Sequence, residues 1–289
     1  MLAPRVHGPD KEDRVSVYAV VLFAALLHAT WNAIVKGGSD KLLSTVLITT
    51  TAAVLATPIL PFLPQPAMPS WPFLAASVVL QVVYFALVAR IYHIADMSQT
   101  YPVMRGTAPL LVALLSLLLL DDHLSSTAVL GIVVICAGIL CMGAWRQRSN
   151  RTGLALALLN AVVIAGYTLV DGIGVRRSDA PIAYTLWIFL LTGLVLGAWA
   201  LFARRRDFIG YIGANWRLGL VGGFGTTASY GMALWAMTLA PVAVIAALRE
   251  TSILFGTLIA GLFLKESLTP LRIIGAGVIA VGAVALRLA

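Results

Sequence analysis

The chain has 289 residues, 60% of them hydrophobic and only 11% charged, with a mean hydropathy of +0.95. Charges this scarce cannot cover a water-soluble globule, so much of the surface must face lipid. The net charge of +8 would suggest nucleic acid in a soluble protein; here it fits basic loops lying against anionic lipid headgroups, and no nucleic-acid partner is expected.

After a polar N-terminal tail at residues 1–15, the first apolar run has no cleavage site and reads as a retained helix. Ten spans follow in order, at about 16–35, 42–60, 71–91, 98–119, 126–144, 152–170, 181–203, 217–238, 242–264 and 270–288. Most reach the ~20 residues that cross roughly 30 Å of hydrocarbon. Runs such as "LLVALLSLLLL" at 110–120 are apolar on every face, which fits helices in lipid and not the alternating strands of a barrel. Pro241 in "MTLAPV" is the break signal between the eighth and ninth spans. The connections are short, and the chain has no polar segment long enough for an extramembrane catalytic domain. Cys136 and Cys141 share one apolar run and read as packing residues.

The sequence repeats itself at an offset of 144 residues. Arg105 falls on Arg249, Thr107 on Thr251, Asp122 on Glu266, Leu124 on Leu268 and Gly131 on Gly275. Trp31 and Tyr167 occupy comparable places in the first and sixth spans. Five spans per half is an odd number, so the second half must enter the membrane from the opposite side. The expected architecture is therefore an all-α integral membrane protein with ten transmembrane helices in two inverted five-helix repeats. The repeats run over 16–144 and 152–289, joined by a basic linker at 145–151. The small-residue stretches "GIVVICAG" (131–138) and "GAGVIAVGAVA" (275–285) read as scaffold or dimer surfaces.

The two stretches "YPVMRGTAPLLVALLSLLLLDDHLSSTAVLGIVVICAGILCMG" and "LRETSILFGTLIAGLFLKESLTPLRIIGAGVIAVGAVAL" resemble the signature region of the drug/metabolite transporter superfamily, in particular its ten-helix EamA-type members. The shared pattern runs from an apolar helix through an acidic residue and a polar turn to a glycine-rich helix. In the first half Asp121 and Asp122 stand where a glycine and an acid are usual. Within the superfamily, the aromatic-rich core is similar to that of bacterial exporters of aromatic and other amino acids. The resemblance implies a cell inner membrane carrier of small metabolites.

Candidate site residues come from the polar groups inside the spans. His28, Trp31 and Asn32 stand at i, i+3 and i+4, gathering a titratable ring, an indole and an amide on one side of a helix. Tyr167 and Asp171 are four apart in the sixth span, Gln81 and Tyr84 three apart in the third, and Thr227 and Tyr230 three apart in the eighth. Tyr92, His93, Thr226 and Trp235 extend this polar and aromatic set. His28, Trp31, Asn32, Gln81, Tyr84, Tyr167, Thr227 and Tyr230 are read as substrate-binding. The competing reading makes them packing residues and interfacial anchors.

Arg105 lies seven residues into its span, roughly 10 Å along the axis, where a cation needs water, a partner or a route to the interface. Arg249 repeats the problem. Glu250 follows directly, but neighbours on a helix point about 100° apart, so each is expected to face a different partner. Arg105, Asp171, Arg249 and Glu250 form the gating or coupling set, with Glu250 the strongest single candidate for protonation. Asp122 and Glu266 are expected just beyond their helices, bonded to turn amides.

The functional expectation is a secondary transporter exporting small polar or zwitterionic metabolites, amino acids first, by alternating access. Multidrug export is the same-class alternative. An intramembrane enzyme lacks any HExxH or GxSxG motif, and neither enzymatic activity nor a cofactor or metal is expected. A channel is the remaining alternative. Possible coupling to protons, a monomer or loose homodimer, and membrane lipids as surroundings complete the reading. Orientation stays open: Arg5, Lys11, Arg14, Arg176, Arg177 and Arg287 lie on the side of the termini and twelve basic residues on the other, which favours exterior termini, whereas the resemblance implies cytoplasmic ones.

Overall fold

The computed structural model describes residues 11–35, 40–95, 97–119, 124–143, 151–262, 265 and 268–289. Its first half contains α1 (Lys11–Val35), α2 (Lys41–Ala56), α3 (Trp71–Ile94), α4 (Met97–Leu119) and α5 (Ser126–Gly143). Its second half contains α6 (Arg151–Arg176), α7 (Pro181–Ala203), α8 (Arg205–Met237), α9 (Val242–Arg249), α10 (Thr251–Leu262) and α11 (Pro270–Arg287). The ninth span is two half-helices, α9 and α10, so eleven helices make ten crossings.

Nine helical stretches among the described residues are long and apolar enough to cross a membrane. The remaining crossing is α8, which has the length but whose "GGFGTTASYG" (222–231) dilutes its apolarity with groups suited to a protein interior. It also bends at Asn215, where the backbone leaves helical values (φ −127°, ψ 17°). Local chemistry explains the starts. Asp40 caps α2 by accepting the Leu43 N–H at 3.0 Å, and α3, α7 and α11 each place a proline in the first turn, where no donor is lost.

The packing is symmetric between the halves. α2 lies on α7 and α5 on α11; α3 packs on α6 as α8 packs on α1, and α4 packs on α6 as α10 packs on α1. Every one of these contacts maps onto itself or onto another when the halves are exchanged, which is the signature of a two-fold relation between inverted repeats. The α5–α11 crossing is the most intimate. A Cβ at Gly138 would lie 2.9 Å from the Gly275 carbonyl oxygen, and one at Gly131 would lie 3.0 Å from that of Gly282. Only hydrogen at these positions lets the backbones approach so closely. The small-residue runs thus serve a contact inside the chain, a scaffold role.

Large apolar side chains such as Phe23, Leu118, Val162, Leu194, Phe224 and Val281 stand exposed around the outside, as a lipid-facing surface requires. At the end that carries the termini, the halves are tied together. The Ala67 N–H donates to the Ser178 carbonyl at 2.9 Å, and the Trp187 indole N–H donates to Gln65 Oε1 at 2.9 Å. Arg176 donates from Nε to the Met237 carbonyl and from Nη2 to the Ala240 carbonyl, at 2.8 and 3.0 Å, fastening α6 to the turn between α8 and α9. Asp122, Glu266 and most of the basic linker lie outside the described residues.

Candidate functional site

The ninth span is interrupted at its charged pair by a single tightened turn that stays within right-handed helical backbone. α9 stops at Arg249, Glu250 adopts φ −67°, ψ −15°, and α10 resumes at Thr251. From this break Glu250 reaches across the interface between the halves, and its Oε2 accepts the Arg105 Nε–H at 2.9 Å. The side chains are 12% and 7% exposed, so the pair is nearly dry. Arg105 sits on α4 between Pro102 and Pro109; the latter has no N–H to give the Arg105 carbonyl, which loosens the helix beside the ion pair.

Arg249 turns elsewhere. Its guanidinium carbon lies 4.7 Å from the centre of the Tyr230 ring, a cation–π contact from α9 to α8. The Tyr230 hydroxyl in turn donates to Oδ2 of Asp171 on α6, and the Tyr184 hydroxyl from α7 donates to Oδ1 at 3.4 Å. Ser77 on α3 stands beside this carboxylate, and it accepts from Gln81 Nε2 at 3.2 Å. Asp171 is fully buried, so tyrosine hydroxyls from two helices replace the water it has lost.

The aromatic candidates pair off around this core. Tyr84 and Tyr167 meet edge to face with centroids 5.8 Å apart, and His28 meets Trp31 the same way at 5.2 Å. Trp31 lies against Gly225 on α8, where any side chain would overlap the indole. The Trp31 indole N–H is buried without an acceptor among the described residues.

Two small cavities open between these groups. One is lined by Ala24, Ala25, His28, Arg105, Ser229 and Arg249; the other includes Tyr167, Thr168, Glu250 and the same two arginines. Each has room for about one water, so the core is closed around its charges and a metabolite would need the halves to part.

The structure therefore brings together His28, Trp31, Tyr84, Tyr167, Tyr230, Arg105, Asp171, Arg249 and Glu250. Gln81 reaches the set only through Ser77. Asn32 is exposed and donates to the His28 carbonyl of its own helix at 2.7 Å, while the Thr227 hydroxyl donates to the Gly223 carbonyl of its own helix at 2.8 Å. Neither joins the cluster in this conformation. His93 is exposed, and the Tyr92 side chain lies outside the description.

Sequence reasoning passed over Ser77, Tyr184 and Ser229. Tyr184 had a signal: in "DGIGV" Gly174 stands three residues after Asp171, and a Cβ there would overlap the Tyr184 hydroxyl. Ser77 and Ser229 carried none, because lone serines in apolar helices usually bond to their own backbone.

Ten crossings in inverted halves, enclosing a dry cluster of charges and aromatic rings at the interface between the halves, define a polytopic membrane transporter. The model of the EamA-like transporter family matches residues 15–144 and again 151–288, once per repeat, and the chain belongs to that family. A crystal structure described only as that of a protein shares the fold with a TM-score of 0.78, covering 95% of this chain and 98% of its own at 18% identity. A search of the curated proteins found no significant match.

Proposed function

We propose that the protein is a secondary carrier that exports small zwitterionic metabolites, amino acids first, across the cell inner membrane by alternating access. The observation that carries this reading is the central cluster: two guanidinium and two carboxylate groups, flanked by tyrosines and a histidine, at the interface between symmetry-related halves. Charges of both signs beside aromatic faces complement a zwitterion with an apolar or aromatic side chain. Inverted repeats supply the motion, since each half can adopt the shape its twin has left. The closed core is the intermediate such a cycle requires.

The test is a panel of amino acids and other metabolites, measured for uptake and efflux in proteoliposomes with and without a proton gradient. Saturable movement of at least one amino acid supports the reading, and stimulation by the gradient adds proton coupling. Movement of hydrophobic cations in place of every amino acid would replace it with drug export. Flux that does not saturate would replace the carrier with a channel.

A further inference from the structure

Arg105 and Arg249 occupy equivalent places in the two repeats, 144 residues apart, yet their surroundings differ. Arg105 is neutralised by Glu250. The residue equivalent to Glu250 in the first half is Gly106, so the duplicated arginines share one adjacent carboxylate between them. Among the described residues no carboxylate lies within ion-pair distance of Arg249, and its guanidinium has no hydrogen-bond acceptor; its contact is the face of Tyr230. Asp171, the nearest other anion along this chain of contacts, is engaged by the hydroxyls of Tyr230 and Tyr184.

A guanidinium carries five N–H donors in a planar fork; those of half-buried Arg249 meet no protein acceptor among the described residues and are left for water or a ligand. Arg249 lines both cavities, so the unmatched donors border the space that a substrate would enter. A carboxylate answers this fork with two parallel charge-assisted bonds. The charge also bears on the choice: in a cluster of two cations and two anions, a singly charged carboxylate adds less excess charge than a dianionic phosphate would.

We infer that the duplicated arginines have divided their work: Arg249 is the clamp for the substrate carboxylate, and Arg105 is a positioning residue that holds Glu250 away from it. This rests on the carrier reading above and names the chemical feature its substrate must have. A molecule that keeps the side chain and ammonium but replaces the carboxylate by a carboxamide loses the partner of Arg249.

The experiment uses full-length protein in proteoliposomes. Each of the twenty L-amino acids is tested for transport, and every one carried is competed against by its own carboxamide. The free acid should compete about tenfold or more better than the amide. R249Q should weaken the acid by a similar factor and abolish the acid-to-amide preference, and R249K should restore part of it, because charge returns without the fork. Equal competition by acid and amide in the wild type, or an R249Q protein that keeps the preference, overturns the clamp while leaving the carrier reading intact. The wild-type comparison needs no variant, so a misfolded R249Q does not rescue the idea. If no amino acid is carried, the amino-acid reading itself falls and the clamp falls with it.

Discussion

At the scale of the residue, the Arg105–Glu250 pair ties α4 of one half to the break in the ninth span of the other. Removing one member of a dry pair strands the other charge, at a cost of about 3–5 kcal/mol. R105A and E250A should therefore each lower the melting temperature of the purified protein, and the double replacement should recover much of the loss. Single variants that melt like the wild type would show that the pair contributes nothing. Tyr230 holds two jobs that one atom separates. Y230F keeps the ring under Arg249 but takes a donor from buried Asp171, so stability should fall by about 1–3 kcal/mol while the acid-to-amide preference persists. Loss of that preference in a stable Y230F protein would show that the hydroxyl, not the ring, serves the cation. The duplicated arginines could be picked out in the sequence because a cation inside an apolar run announces itself. Their partners could not, since adjacency only argues against assuming an Arg249–Glu250 pair and the choice of Arg105 depends on how α4 meets α9.

At the scale of the element, the ten crossings were readable because lipid demands long apolar runs and their breaks are polar. The split of the ninth crossing was not. Arg249, Glu250 and Thr251 include neither glycine nor proline, so nothing local marks a breaker; conversely α4 runs straight through Pro102 and Pro109, which membrane helices tolerate. The packing of α5 on α11 makes a sharper prediction. G138V drives its side chain into the Gly275 backbone and should cost about 1–3 kcal/mol or more, visible as a lower melting temperature and reduced folded yield. G277A is the control on the same helix pair: its Cβ meets nothing within 4 Å, and it should be neutral or slightly stabilising through helix propensity. Equal effects of the two would remove the close crossing as the cause.

At the scale of the whole molecule, inversion followed from counting five spans per half, and the mutual packing of the halves carries it through. The fastening at the terminal end was not legible, because it is made by side chains meeting backbone far away in sequence. At the terminal end Arg176 holds the Met237 and Ala240 carbonyls, and we predict that this fastening limits access from that side. In a background with C136A and C141A, a cysteine at position 229 reports on the first cavity. R176Q should raise its labelling by a membrane-impermeant maleimide applied from the side of the termini several-fold. Unchanged labelling would mean that the seal lies elsewhere.

The glycine crossing has one more implication. Exchange the two halves and the Gly131–Gly282 approach becomes Gly275–Gly138, which is the other approach already present in the same seam. The α5–α11 contact is thus its own mirror partner, identical whichever half wears which shape. If the carrier proposed above swaps the shapes of its halves, the Arg105–Glu250 bond has no counterpart to pass to, because Gly106 stands where the other half has Glu250, whereas this seam is preserved. In the alternating-access cycle proposed above, this seam is the natural fulcrum across which the rest of the molecule would tip.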